Sequence, residues 1–256
     1  MRYLIKLAFC IFLLICNNLY SREIGETEIT TQEGIEVFQN EKYYLLKKNV
    51  KIESDNFTLI GDIVKIFFEK DLYDIKIINA SGNVELNSFE YSLNASGEKL
   101  IFTVDEEKIL IEGNDSLLIT NDSEMYSDGK IQVNNISGDF LLNGPNSILK
   151  TQDIFIEGRF IDGIINKENE LNDIINLNVN DENIAYIKTE DTDMYANIIR
   201  YNKETSLIEL ENNVKIIRGG ETITGDYGTL DTNTNSYKVQ SKNSKKVRVI
   251  ISNQDE

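Results

Sequence analysis

The sequence predicts an all-β fold in which short antiparallel strands are stacked or coiled into one repetitive body. The first observation behind this is a repeated phrase. An alternating strand runs into Asn-Val, a second short strand follows, and a Gly-plus-acid pair closes the unit. It reads KKNVKIESDNFTLIGD over Lys47–Asp62, SGNVELNSFEYSLNASGE over Ser81–Glu98 and ENNVKIIRGGETITGD over Glu211–Asp226. A looser copy, EGNDSLLITNDSEMYSDGK, covers Glu112–Lys130. Repetition at this scale is the signature of stacked β units. The second observation is pervasive period-2 alternation with no sustained helical stripe after residue 21. The third is the near absence of proline. Pro145 is the only one in 256 residues, which suits long hydrogen-bonded ladders because proline removes a ladder donor.

Taken in order, residues 1–21 read as a secretory signal peptide. Arg2 and Lys6 give a positive start, Leu7–Cys16 is apolar but too short to span a bilayer, and Ser21 offers a small residue at the cut. Two other readings of the segment are a short membrane anchor and a lipoprotein attached through Cys16. Against the latter, the bulky Ile15 stands where lipid-attachment motifs carry a small residue. Residues 22–165 form a first set of β repeats, with alternation at Ile75-Lys76-Ile77, Val84-Glu85-Leu86 and Ile109-Leu110-Ile111. Within them, LLNGPNSILK places Pro145 at a tip between two strands. The polar stretch 166–183 reads as a long loop or as the seam between two halves. Residues 184–251 form a second set, with Ile208-Glu209-Leu210, Val214-Lys215-Ile216 and Val247-Arg248-Val249 alternating. Residues 252–256 are a tail. In each phrase Asn49, Asn83 or Asn213 tolerates the positive φ of a strand restart. Gly61, Gly97 and Gly225 are expected to supply the φ values of a sharp corner or bulge.

Composition excludes several chemistries. The chain has 26 Lys+Arg against 43 Asp+Glu, and losing Arg2 and Lys6 with the signal makes the balance more negative. Such a chain has no electrostatic footprint for nucleic acid. Lys242, Lys245, Lys246 and Arg248 form the one basic cluster, which fits a charged edge strand that resists aggregation. There is no histidine, and both cysteines, Cys10 and Cys16, lie in the signal segment. A His-based triad, a thiol nucleophile and His- or Cys-ligated zinc are therefore excluded from the exported chain. Carboxylates remain, but Asp62, Glu98, Asp226, Glu209 and Glu211 fall at turns or outward positions and read as solvated acids. Asn121–Glu124 and Asp191–Asp193 carry close oxygens yet lack the Gly and distal Glu of an EF-hand. No catalytic residue, metal ligand or cofactor is assigned.

What is left is apolar surface facing inward, which includes Ile63 and Leu117. Most of it reads as core. A sharper reading is a groove between β layers that takes up an acyl chain, lined by Val50, Ile52, Leu59, Val84, Leu86, Phe102, Leu210, Val214, Ile216 and Ile223. Each buried methylene is worth about 0.8 kcal/mol, so such a groove needs no special residue.

The stretch Asn212–Gln240, NNVKIIRGGETITGDYGTLDTNTNSYKVQ, resembles the OstA-like domain. That domain is shared by the periplasmic lipopolysaccharide-transport proteins LptA and LptC and by the N-terminal part of LptD. Its marks are the Asn-Asn-Val restart, Ile-x-Gly-Asp followed by an aromatic, Leu-Asp, and a last strand leading to KVRVII. The likeness is best over 184–251 and looser over 36–156. The resemblance implies a coiled antiparallel β-jellyroll, open at both ends, whose copies stack into a periplasmic bridge with an apolar groove for lipid. The expected function is therefore a non-enzymatic, lipid-binding bridge that carries lipopolysaccharide or another envelope glycolipid towards the outer membrane. Its partners would be that lipid and other OstA-like proteins, joined by edge-strand addition at Val247, Val249 and Ile251, with Glu36–Leu46 near the other edge. A lipid-free structural or adhesin-like solenoid is the first alternative. A carboxylate glycan hydrolase on a β-helix is the second.

Overall fold

The computed structural model describes residues 24–70, 74–166, 174–242 and 246–252. The proposed signal peptide, including Cys10, Cys16 and the cut after Ser21, lies outside them, as do Lys245 and most of the tail. The described residues are all-β. In chain order the strands are β1 (Glu28–Thr30), β2 (Ile35–Phe38), β3 (Tyr43–Glu53), β4 (Phe57–Phe68), β5 (Ile75–Ser88), β6 (Leu93–Thr103), β7 (Lys108–Glu112), β8 (Ser116–Ile119) and β9 (Ser123–Ser127). They continue as β10 (Lys130–Asn134), β11 (Asp139–Thr151), β12 (Phe155–Ile165), β13 (Ile174–Lys188), β14 (Thr192–Asn202), β15 (Leu207–Arg218), β16 (Glu221–Asp231), β17 (Ser236–Gln240) and β18 (Arg248–Ile251).

Every pairing is antiparallel, and nearly every strand pairs with its chain neighbour. The long strands pair in two halves separated by a register shift. Between β3 and β4 the shift falls between Lys47 and Val50, between β5 and β6 between Ser81 and Val84, and between β15 and β16 between Glu211 and Val214. Each long strand thus turns a corner and contributes one half to each of two facing layers. Where the corner is sharper the strand breaks in two. β6 pairs with β8 through Asn94–Ser96 and with β7 through Lys99–Thr103, so β7 and β8 act as the halves of one bent strand. β9 and β10 do the same against β11, and β17 and β18 against β16. The product is a coiled, open-ended jellyroll whose apolar side chains form one core between the layers.

The repeated phrase encodes the corner. Lys48 and Asn49, Gly82 and Asn83, and Asn212 and Asn213 all have positive φ, the conformation that Asn and Gly adopt at least cost. The strand does not stop there, as the sequence suggests, but resumes as Val50, Val84 or Val214, each at most 1% exposed. The glycines have a different role from the one expected. Gly61, Gly97 and Gly225 lie inside strands, directly opposite those valines, and their φ is not positive. What Gly97 and Gly225 supply is space. A Cβ on Gly97 would stand 2.6 Å from Ile111 Cγ2, and one on Gly225 would stand 2.5 Å from Val239 Cγ1. Pro145 is also reassigned. It lies at the corner of β11, between Asn143 and Ser147 where the register shifts, and not at a strand-to-strand tip. Its carbonyl accepts the Asp128 N–H at 3.2 Å. A corner accommodates the missing donor because ladder bonds are interrupted there.

Corners also change which residues face inward. In β4, Leu59 and Gly61 point in, then Val64, Ile66 and Phe68. The alternation slips by one at Asp62, which turns Ile63 outward at 45% exposure. Of the stretch 166–183, residues 174–183 belong to β13 and residues 167–173 lie outside those described. β12 and β13, which flank those residues, pair with each other antiparallel.

Polar side chains tie successive corners together on the outside. Asn83 Nδ2 donates to Asp62 at 3.2 Å, the Asn114 N–H to Glu98 at 3.3 Å and the Lys242 N–H to Asp226 at 2.9 Å. Asn213 donates to Asn197, whose own amide donates to the carbonyls of Asp181, Glu182 and Asn183. The acids after the corner glycines are therefore caps for the next corner. Hydrogen bonds to Asp128 from the Tyr126 hydroxyl, the Asn146 amide and the Asp115 N–H hold its carboxyl below the usual range.

Gly97→Ala forces a methyl into a filled corner and is expected to cost about 1–3 kcal/mol. Gly61→Ala, whose nearest neighbour would be 3.6 Å away, is expected to cost less than about 1 kcal/mol. Urea unfolding midpoints at constant slope measure the difference.

Candidate functional site

Along most of the roll the two layers are in full contact. Leu142, Ile156, Ile161, Ile187, Ile199 and Leu210 have no measurable exposure. Between β4 and β7 the layers part and enclose a cavity of about 560 Å³. Phe57, Leu59 and Leu86 form one wall, from the first half of β4 and the second half of β5. Ile78, Leu100, Phe102 and Ile109 form the other, from the opposite layer. A smaller pocket of about 80 Å³ continues from it towards Met125 and Val133, sharing Tyr91, Phe102, Glu107 and Ile109. Ligand sites of this kind, largely apolar with a few polar groups, typically enclose about 300–1,000 Å³.

The mouth is set by the connections between strands. Most tips on the β4 side are tight turns begun by a hydroxyl residue. The N–H groups of Ser54, Thr120, Thr151 and Thr189 bond to the carbonyls of Phe57, Ser123, Ile154 and Thr192. The hydroxyls of Ser54, Thr120 and Thr151 also accept the N–H of the third residue on, at 3.1–3.2 Å. The oxygens read as weak calcium loops at Asn121–Glu124 and Asp191–Asp193 belong to two of these turns and the strands that leave them. The β5–β6 connection departs from the pattern. Phe89 donates its N–H to Asn56 of the neighbouring tip at 2.8 Å, and Ser88 Oγ accepts the Tyr91 N–H at 3.3 Å. This wider tip carries Tyr91 to the mouth. Burial, then the charges of Glu107 and Glu90, raise the Tyr91 phenol above its ordinary pKa. The phenol is held as a neutral donor beside those two acids.

The residues expected from sequence to line a groove divide accordingly. Leu59, Leu86 and Phe102 are on the cavity walls. Val50, Ile52 and Val84 are packed beside it at corners or in the ladder, at 2% exposure or less. Leu210, Val214 and Ile216 sit in the closed part of the core, with the half-buried Ile223 paired opposite Ile216. Phe57, Ile78, Leu100 and Ile109 are additional wall residues. The signal that separates them from plain core is indirect: the tip before β6 carries the large side chains of Phe89 and Tyr91 after its hydroxyl residue, Ser88. Val249 and Ile251 lie on β18, which pairs with β16, and Val247 immediately precedes it; all three are exposed. At the other end Glu36–Phe38 lie on β2, which pairs with β3, and residues 43–46 are one strand further in.

Among the described residues, no group of three or more acids is close enough to hold a metal ion. The cavity walls are apolar, and the carboxylates stand on the rim.

No family model matches the chain, and no curated protein matches it. Solved structures that align include LptH, described as the LptA-homologous periplasmic component of the lipopolysaccharide transport device of Pseudomonas aeruginosa. That alignment covers 89% of this chain and 95% of LptH at 9% identity, with a TM-score of 0.22.

Phe102 faces space on one side, so Phe102→Ala is expected to cost less than about 2 kcal/mol. Leu142→Ala empties a closed site and is expected to cost about 2–5 kcal/mol. Chemical unfolding of the two variants checks the contrast.

Proposed function

We propose that this protein is an exported, non-catalytic carrier that binds the acyl part of an envelope glycolipid, of which lipopolysaccharide is one, and hands it on within a periplasmic bridge. The observation that carries this reading is the cavity between β4 and β7. Here a closely packed interlayer core opens, its walls are aliphatic and aromatic, and it leads to solvent between the strand tips. An apolar chain entering it exchanges water for protein on both sides, and about ten buried methylenes contribute roughly 8 kcal/mol. The amphiphile's polar end would remain at the rim. The likeness of Asn212–Gln240 to the OstA-like domain favours the same reading, as does the apparent secretory leader. Placement in the periplasm rests on that leader.

Assembly by edge-strand addition belongs to the same proposal. β2 and β18 each have one ladder partner, and each presents exposed apolar side chains: Ile35 and Val37 at one end, Val249 to Ile251 at the other. An unpaired edge of this kind templates a further strand.

The chain contains no tryptophan, so Phe102→Trp introduces a single fluorophore into the cavity. Brominated acyl chains are expected to quench it saturably, and Ile78→Arg in the same background is expected to abolish the quenching. Unchanged emission with every acyl probe would sink the carrier reading. Deleting residues 247–256 is expected to leave a folded monomer. If the truncated chain associates as the full one does in sedimentation, β18 is not an assembly edge.

A further inference from the structure

The rim of the cavity has a sign. Glu26, Asp55, Glu90 and Glu107 line its mouth, and no lysine or arginine does so among the described residues. Lys76, next in sequence to the lining residue Ile75, is already engaged. Its ammonium lies 3.2 Å from Asp74, 3.2 Å from Asp105 and 3.4 Å from Glu69. The acids are held in place by the turns that carry them. Asp55 accepts the Gly25 N–H at 2.6 Å, which pins the segment before β1 across the opening. The Asn56 carbonyl accepts the N–H groups of Phe89 and Glu90, which locks the two neighbouring tips together. Glu107 closes its own turn through an N–H bond to Val104, and its carboxylate accepts the Asn135 amide at 2.6 Å. Tyr91 stands between the larger cavity and its extension with a neutral hydroxyl to donate.

From this juxtaposition of an apolar cavity with a fixed carboxylate rim, we propose that the site selects amphiphiles by headgroup charge: ammonium-bearing headgroups best, uncharged sugar headgroups next, and phosphate headgroups last. The inference rests on the carrier reading above and narrows it. An acyl chain inserted between the walls leaves its first polar atoms at the level of the tips, within reach of Glu90, Glu107 and the Tyr91 hydroxyl. A phosphate there meets like charge from several sides and finds no cation to pair with. An ammonium meets acceptors already oriented, and a sugar can hydrogen-bond to the carboxylates without an opposing charge. Several like charges within about 10 Å, in surroundings between bulk water and protein interior, suffice for roughly a tenfold bias.

The test uses the purified full chain and three probes with the same twelve-carbon tail: dodecyltrimethylammonium, dodecyl maltoside and dodecyl phosphate. All are titrated below their micelle concentrations by calorimetry at low ionic strength. The expected order of affinity is ammonium, maltoside, phosphate, with about tenfold or more between the first and the last. The gap is expected to narrow at 1 M salt, where screening acts over about 3 Å. The pair Glu90→Gln and Glu107→Gln, made together, is expected to raise phosphate affinity relative to ammonium affinity and so narrow the gap between them. Phosphate binding as tight as ammonium in the unmodified chain overturns the inference and leaves the carrier reading standing. So does an unchanged ratio in a folded double variant. Binding of none of the three probes overturns the carrier reading itself, and the inference with it. If the double variant does not fold, the order measured on the unmodified chain still decides.

Discussion

The whole architecture depends on the strand corner. A flat strand can pair on one layer only. Here each strand must leave one layer and enter the other without losing its ladder, and the change of direction occurs within a few residues. Two left-handed residues make the bend, a valine drops into its inside, and in the repeated phrase a glycine stands opposite that valine on the next strand. Because neighbouring corners stack, the bend also runs as a continuous ridge, and its exposed amides and carboxylates bond from one rung to the next. The acidity of the chain is partly this ridge: Asp62, Glu98, Asp128 and Asp226 accept hydrogen bonds there.

With corners fixed on one side, the interior is governed by how far the layers are held apart on the other. Short hydroxyl turns close most of the rungs tightly, and the facing aliphatic side chains then fill the gap completely. The tip between β5 and β6 is the exception. It bonds sideways to its neighbour through Asn56 as well as closing on itself through the Tyr91 N–H to Ser88 Oγ and the Ser92 N–H to the Phe89 carbonyl, and the layers beneath it do not meet. The cavity lies beneath this tip, whose backbone bonds reach the neighbouring one. The polar rim comes from the tips as well, since the residues that make turns are acids, amides and hydroxyls. An apolar interior and an anionic entrance come from one arrangement.

The sequence carried the corners openly, because they depend on local backbone preference. Asn49, Asn83 and Asn213 could be read as positive-φ positions, and their recurring order with Gly61, Gly97 and Gly225 marked the unit. The purpose of those glycines was not legible. Whether a glycine is there for φ or for a neighbour's volume depends on what lies across the ladder, as Ile111 does from Gly97. Pro145 misled for a related reason: a corner inside a strand and a tip between strands use the same residues. Strict alternation likewise placed Ile63 inward, because a register slip at the preceding corner cannot be seen without its partner strand.

By itself the sequence determined the class of the fold, the coiling unit and the chemistry that is absent, since these follow from local dihedral preference, period-2 patterning and composition. Only the tertiary structure decided where the interior is open. Val214 and Leu86 are equally apolar and occupy similar phrases, yet one is sealed in the core and the other faces a cavity. The difference lies in the distance between two layers, which is set by side chains and turns far apart in the chain. No pattern along one strand records it.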